Sequence, residues 1–169
     1  MRRYTRELKN ILMSNKKKRI WIGSSLLILL LFPLFYRIPV IEVAGEDTSF
    51  FIKEEAFVLG WIHSIEKEEW FERYQRKDEK IILSDTFFKT FGAGTPFQAK
   101  KTMTENGFIQ MELDIDYEDL NVTISEFVQT TLFIGDREIP LYHHFDQYEN
   151  VMITTRKLPV WEYIRGDYF

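Results

Sequence analysis

No cysteine occurs in the 169 residues. That excludes disulfides, cysteine-ligated zinc, a thiol nucleophile and a lipoprotein attachment site. Any exported part of this chain must therefore hold itself together by its core alone. Proline and glycine are scarce, five and eight residues, and there are only three histidines. No internal repeat or low-complexity stretch is present. Charge is missing altogether from Ile20 to Tyr36, a run of 17 residues.

What is present is apolar and aromatic. The hydrophobic share is 45% and the aromatic share 16%, enough for a real core and too much for a disordered chain. The length fits one domain with an anchor. The net charge of −4 conceals two opposite parts. Residues 1–19 hold eight Lys or Arg against Glu7 alone, +7, leaving 14 basic and 25 acidic residues, −11, in 20–169.

The uncharged run is just long enough to span a bilayer, with Trp21 and Tyr36 near its ends where interfacial rings belong. Pro33 stands one turn from its end, where a helix in lipid tolerates it. A cleaved signal peptide is the rival reading, with Val43-Ala44-Gly45 as a loose cleavage site. The run exceeds a usual signal core, and Arg37 separates it from that site, so an uncleaved anchor is preferred. The expected organisation is a basic cytoplasmic head at 1–19, a transmembrane anchor at 20–37 in contact with lipid, and an exported domain at 38–169. The Lys16-Lys17-Lys18-Arg19 run is then a topology determinant, and nucleic acid is not an expected partner.

The exported part reads as strands. Phe57, Leu59 and Trp61 alternate with Val58 and Ile62, so Phe57 to His63 predicts a strand covered on both faces. Lys53 to Trp61 carries the only competing hint of helix, at Glu54-Glu55-Ala56. After a polar turn, Trp70, Glu72 and Tyr74 share one side of a second strand, and Lys80 to Leu83 makes a third, an antiparallel meander. Ile38–Val43, Phe108–Ile115, Leu120–Ser125 and Val151–Thr155 add further strands. Val128–Ile134 and Glu138–Leu141 form a hairpin about Gly135-Asp136. The expected fold is all-β, an antiparallel sandwich or small barrel of eight or nine strands behind one N-terminal transmembrane helix. Pro159 to Phe169 is expected to pack as an aromatic tail.

Three groupings invite chemistry. His63 beside Ser64, with Glu66 and Glu72 nearby, suggests a hydrolase. Neighbours on a strand point to opposite faces, however, and Ser64 lacks a nucleophile elbow, so a turn initiated by the Ser64 hydroxyl is preferred. His63, His143, His144 and Asp146 lack metal-ligand spacing. Asp114, Asp116 and Glu118 lack the glycine and terminal ligand of a calcium loop. Phe91-Gly92-Ala93-Gly94-Thr95-Pro96 has no Walker lysine. Its glycines predict a tight turn needing positive φ or close backbone approach, with presentation of N–H groups to an anion as the alternative.

His63-Ser64-Ile65-Glu66-Lys67, then Trp70 and Glu72-x-Tyr74, then Phe91-Gly92-Ala93-Gly94-x-Pro96 together resemble the bacterial family called domain of unknown function 1850. The specific motifs cover Phe57 to Pro96, with Ile65 where the family usually has Val. The resemblance implies a small exported or anchored protein associated with tripartite ATP-independent periplasmic (TRAP) transporters of the TAXI type. It carries over no catalytic residue and implies no cofactor. The expectation is a non-enzymatic accessory protein acting with a TRAP-TAXI permease or its solute receptor. Its partner or ligand surface would comprise His63, Ser64, Glu66, Lys67, Glu72, Gly92 and Gly94. The alternatives are an exported metal-dependent or hydrolytic enzyme using His63, Glu66 and Glu72, and a small organic-anion binding module at Lys67 and the glycine loop.

Overall fold

The computed structural model describes residues 20–169, so the basic head at 1–19 lies outside the described residues. The chain divides into two compact units. One contains helix α1, residues 20–35, together with Leu158–Ile164. Nearly every side chain of α1 is exposed, including Trp21, Leu29, Leu30 and Phe35 at 74%, 72%, 72% and 80%. At 1.5 Å per residue its 16 described residues span about 24 Å, short of a ~30 Å hydrocarbon layer. Among the described residues no helix is long and apolar enough to cross a membrane. In the same unit the Arg37 guanidinium lies over the Trp161 ring, 5.7 Å from its centre.

The other unit, Pro39–Lys157 with Arg165–Phe169, is built from two β-sheets. In chain order the strands are β1 (Arg37–Ala44), β2 (Ser49–Ile52), β3 (Ala56–Ile62), β4 (Glu69–Lys77), β5 (Lys80–Phe88) and β6 (Lys101–Glu105). They continue with β7 (Phe108–Tyr117), β8 (Asp119–Thr123), β9 (Thr131–Ile134), β10 (Arg137–Pro140) and β11 (Asn150–Pro159). One sheet has the order β2-β1-β11-β8 and the other β10-β9-β3-β4-β5-β7-β6.

The expected meander is β3-β4-β5, paired antiparallel throughout. Ser84 falls out of register on both sides of β5, a bulge flanked by Arg73-Tyr74 of β4. The hairpin about Gly135, with φ of 57°, joins β9 to β10. Eleven strands replace the eight or nine expected. β2 and β6 carry no sequence signature: β2 is only four residues long, and every residue of the edge strand β6 is exposed, so neither alternates. The strand expected from Val128 begins only at Thr131, because Glu126–Val128 form a 3-10 turn, and Lys53 to Trp61 is strand from Ala56 onward. In the tail, helix α2 occupies Val160–Arg165, and beyond it Tyr168 pairs with Phe51 while the Phe169 ring packs on Phe50 at 4.5 Å.

The sheets enclose one main core. Ile41, Val43, Phe50, Ile52, Val151 and Ile153 from the smaller sheet meet Phe57, Leu59, Tyr74, Ile81, Leu83, Leu113 and Leu132 from the larger. Each such side chain contributes about 1.5–3 kcal/mol on full burial. A smaller cluster of Trp70, Phe88 and Met111 seals one end of the larger sheet, with Trp61 touching both clusters. On the opposite face of that sheet Gly60 sits under the rings of Phe71 and Phe133, which are 5.9 Å apart. A Cβ there would come within 2.7–2.8 Å of both rings, so this strand position accepts only glycine without rearrangement.

Candidate functional site

The turn between β3 and β4 is closed by His63, not by the Ser64 hydroxyl. The His63 N–H donates to the Glu68 carbonyl at 2.7 Å and the Lys67 N–H to the His63 carbonyl at 2.9 Å. Lys67 takes a left-handed φ of 58° to complete the turn. The imidazole folds back over its own loop, with Nδ1 3.4 Å from the backbone nitrogens of Ile65 and Glu66 and in direct contact with Glu66 Oε2. The Ile65 and Glu66 N–H groups point at Nδ1, and the nearby imidazole favours the charged form of the Glu66 carboxylate. Packing orients the ring from behind: it stacks on Trp70 at 5.3 Å, and Trp70 stacks in turn on Phe88 at 4.9 Å.

Glu66 then joins the two motif segments. Its Oε1 accepts the Ala93 N–H at 3.1 Å. A Cβ on Gly92 would lie 2.6 Å from Glu66 Cδ, so only a glycine lets the carboxylate approach. Gly94 answers a different requirement: open space surrounds it, but its φ of +80° disfavours any side chain. Thr95 closes the loop by donating its hydroxyl to the Gly92 carbonyl at 2.9 Å. Burial of Glu66 opposes its ionisation. The N–H groups of Ala93 and of Glu66 itself, together with His63, outweigh that and hold its pKa below the ordinary 4.5. Of the site residues expected from sequence, His63, Glu66, Gly92 and the Gly94 turn are thus one construction. Ser64 and Lys67 belong to it by position and are exposed.

Glu72 stands apart from them. It lies on the inner side of β4, opposite Leu59 of β3, and lines a cleft of about 530 Å³ between the sheets. Tyr74 donates its hydroxyl to Glu72 Oε2 at 2.5 Å. Burial pushes the Glu72 pKa up, with Tyr74 and the Trp70 indole N–H opposing. That indole N–H lies close enough to favour the charged carboxylate yet misses full hydrogen-bond geometry. Burial and the neighbouring carboxylate push the Tyr74 phenol up as well. The rest of the cleft has no signature in the sequence. Trp61, Tyr117, Asp119 and Thr130 come from four separate segments, and the available sign was an acid on the face shared with Phe57, Leu59 and Trp61.

Residues 57–141, which contain both motif segments and Glu72, match one family. The chain belongs to the family described as Domain of unknown function (DUF1850). No curated protein and no solved structure matches it. The motifs that mark this DUF1850 chain are therefore accounted for by its own geometry: a histidine-closed turn, a bridging glutamate and two glycines with separate tasks.

That geometry bears on the chemical alternatives. Among the described residues no three His, Asp or Glu side chains converge to hold a metal ion, and Glu72 faces the cleft rather than the His63–Glu66 pair. The loop N–H that an organic anion would use, that of Ala93, is already occupied by Glu66.

Proposed function

We propose that this DUF1850 chain is a non-enzymatic accessory protein of a TRAP-TAXI-type solute uptake system, held at the membrane by residues 20–37 and docking to the permease or its solute receptor through the motif corner. One observation carries the docking part. The two segments clamped by Glu66 carry or adjoin large apolar side chains turned to solvent: Ile65, Phe91 and Phe97 are 68%, 64% and 93% exposed. Exposed aromatics on a braced turn suit a partner interface, where rigid anchors supply most of the binding energy.

The anchor reading rests on the 17 uncharged residues, on the +7 head before them and on the outward apolar side chains of α1. A helix apolar on all sides is at home in lipid or in a large core. Alkaline extraction of membranes tests it: a chain anchored through 20–37 stays in the pellet, and release into the wash sinks this part of the proposal.

Affinity capture of the tagged full chain from mild detergent tests the docking. Permease or solute receptor should be recovered with the intact chain and lost with Phe91→Ser/Phe97→Ser. Capture of neither partner, in detergent where both survive, overturns the reading.

A further inference from the structure

The cleft that contains Glu72 has a composition the docking reading leaves unused. We propose that it is a binding site for a small organic cation, an ammonium or quaternary ammonium group seated against Glu72 and the rings of Trp61, Tyr74 and Tyr117. Its volume of about 530 Å³ falls within the ~300–1,000 Å³ of small-molecule sites.

Three features select the charge of the ligand. The walls are aromatic: the Tyr74 and Tyr117 rings stand edge to face, 6.5 Å apart at 66°, and Trp61 follows Leu59 on the same face of β3. Aromatic faces attract cations through the ring quadrupole, most strongly where water is excluded. Both ionisable carboxyls of the lining, Glu72 and Asp119, are acidic, and no lysine or arginine is among the described lining residues. Finally, Glu72 has no cationic partner among the described residues and is held by the Tyr74 hydroxyl, helped by the Trp70 indole N–H. A carboxylate withdrawn from water without a counter-charge is costly, and a bound cation supplies that charge.

The surroundings agree. Residues 20–169 carry −11, a field that concentrates cations and repels anions. Leu59, Leu120 and Val122 complete an apolar wall suited to the methyl groups of a quaternary ammonium. The site is separate from the motif corner, so it stands whether or not the permease is captured.

Choline titrated into the full chain in maltoside micelles, followed by calorimetry and tryptophan fluorescence, is the direct test. Maltoside is chosen because phosphocholine detergents carry the competing group. Saturable binding is expected, with 3,3-dimethyl-1-butanol, the neutral isostere, at least about tenfold weaker. Glu72→Gln keeps the shape of the side chain and should weaken choline by about tenfold or more. Tyr117→Leu, at a partly buried position, should weaken it independently if the first variant misfolds. Phosphocholine separates two sources of the same cation: weaker binding than choline indicates a free cation, equal binding a lipid headgroup. Equal affinity for the neutral isostere, unchanged choline binding by folded Glu72→Gln, or no saturation up to about 50 mM choline overturns the proposal.

Discussion

Glu66 accepts a hydrogen bond from the backbone N–H of Ala93, 27 residues further along the chain. That one contact turns two sequence motifs into a single corner, because the same carboxylate also meets His63 and packs on the Cα of Gly92. His63, Glu66 and Gly92 are therefore a coupled unit and should fail together.

Gly92→Ala should lower the urea midpoint by driving a Cβ into the Glu66 carboxylate. In a Glu66→Ala background the same change should cost roughly half or less, since the obstructing group is gone. A double-mutant cycle from urea melts measures this. Strict additivity would mean that the carboxylate does not bridge the segments.

Gly94→Ala should behave differently. Nothing crowds that position, but its φ of +80° makes any side chain cost about 1–2 kcal/mol. The loss should be the same with or without Glu66. Gly94→Asn, which tolerates the left-handed region, should recover part of it.

Gly60→Ala should destabilise by about 1–3 kcal/mol, because the new methyl meets Phe71 and Phe133 together. Phe71→Leu in the same chain should relieve some of that cost. Equal stability of Gly60→Ala and the parent in thermal melts would show that the rings separate freely.

The two glutamates give stability opposite pH dependence. The folded pKa of Glu66 lies below 4.5, so its contribution is complete above 4.5 and is lost as pH falls through the lowered value. The folded pKa of Glu72 lies above 4.5, so the folded chain holds that proton more tightly. Stability therefore falls as pH rises from 4.5 through the raised value. Urea midpoints measured from about pH 3 to pH 8 should show a shallower acid-side decline in Glu66→Gln, the rest coming from Glu79 and Asp114, which lysines hold low, and a shallower decline above 4.5 in Glu72→Gln. A Glu72→Gln chain that is no more stable than the parent at neutral pH would contradict the burial of a costly charge.

Strand alternation made much of this chain legible. Phe57, Leu59 and Trp61, or Ile109, Met111 and Leu113, repeat every second residue and expose the meander and the β7 strand directly. The short or wholly exposed strands β2 and β6 carry no such period and are defined by their partners instead. The glycine loop was legible as a turn, with positive φ or a close approach as the alternative reasons for its glycines; Gly94 has the first and Gly92 the second. What approaches Gly92 was not, because Glu66 is remote in the chain.

By itself the sequence determined a mostly β body, a basic stretch at 1–19 before an acidic remainder, and the family to which the chain belongs. Those follow from local period, composition and spacing, which a linear chain records. Only the tertiary structure decided that His63 and Glu66 serve the corner while Glu72 faces a cleft. That separation depends on which strand face each side chain occupies and on contacts between distant segments. His63, Glu66 and Glu72 are near neighbours in the chain, but the pleat of β4 and the turn before it divide them.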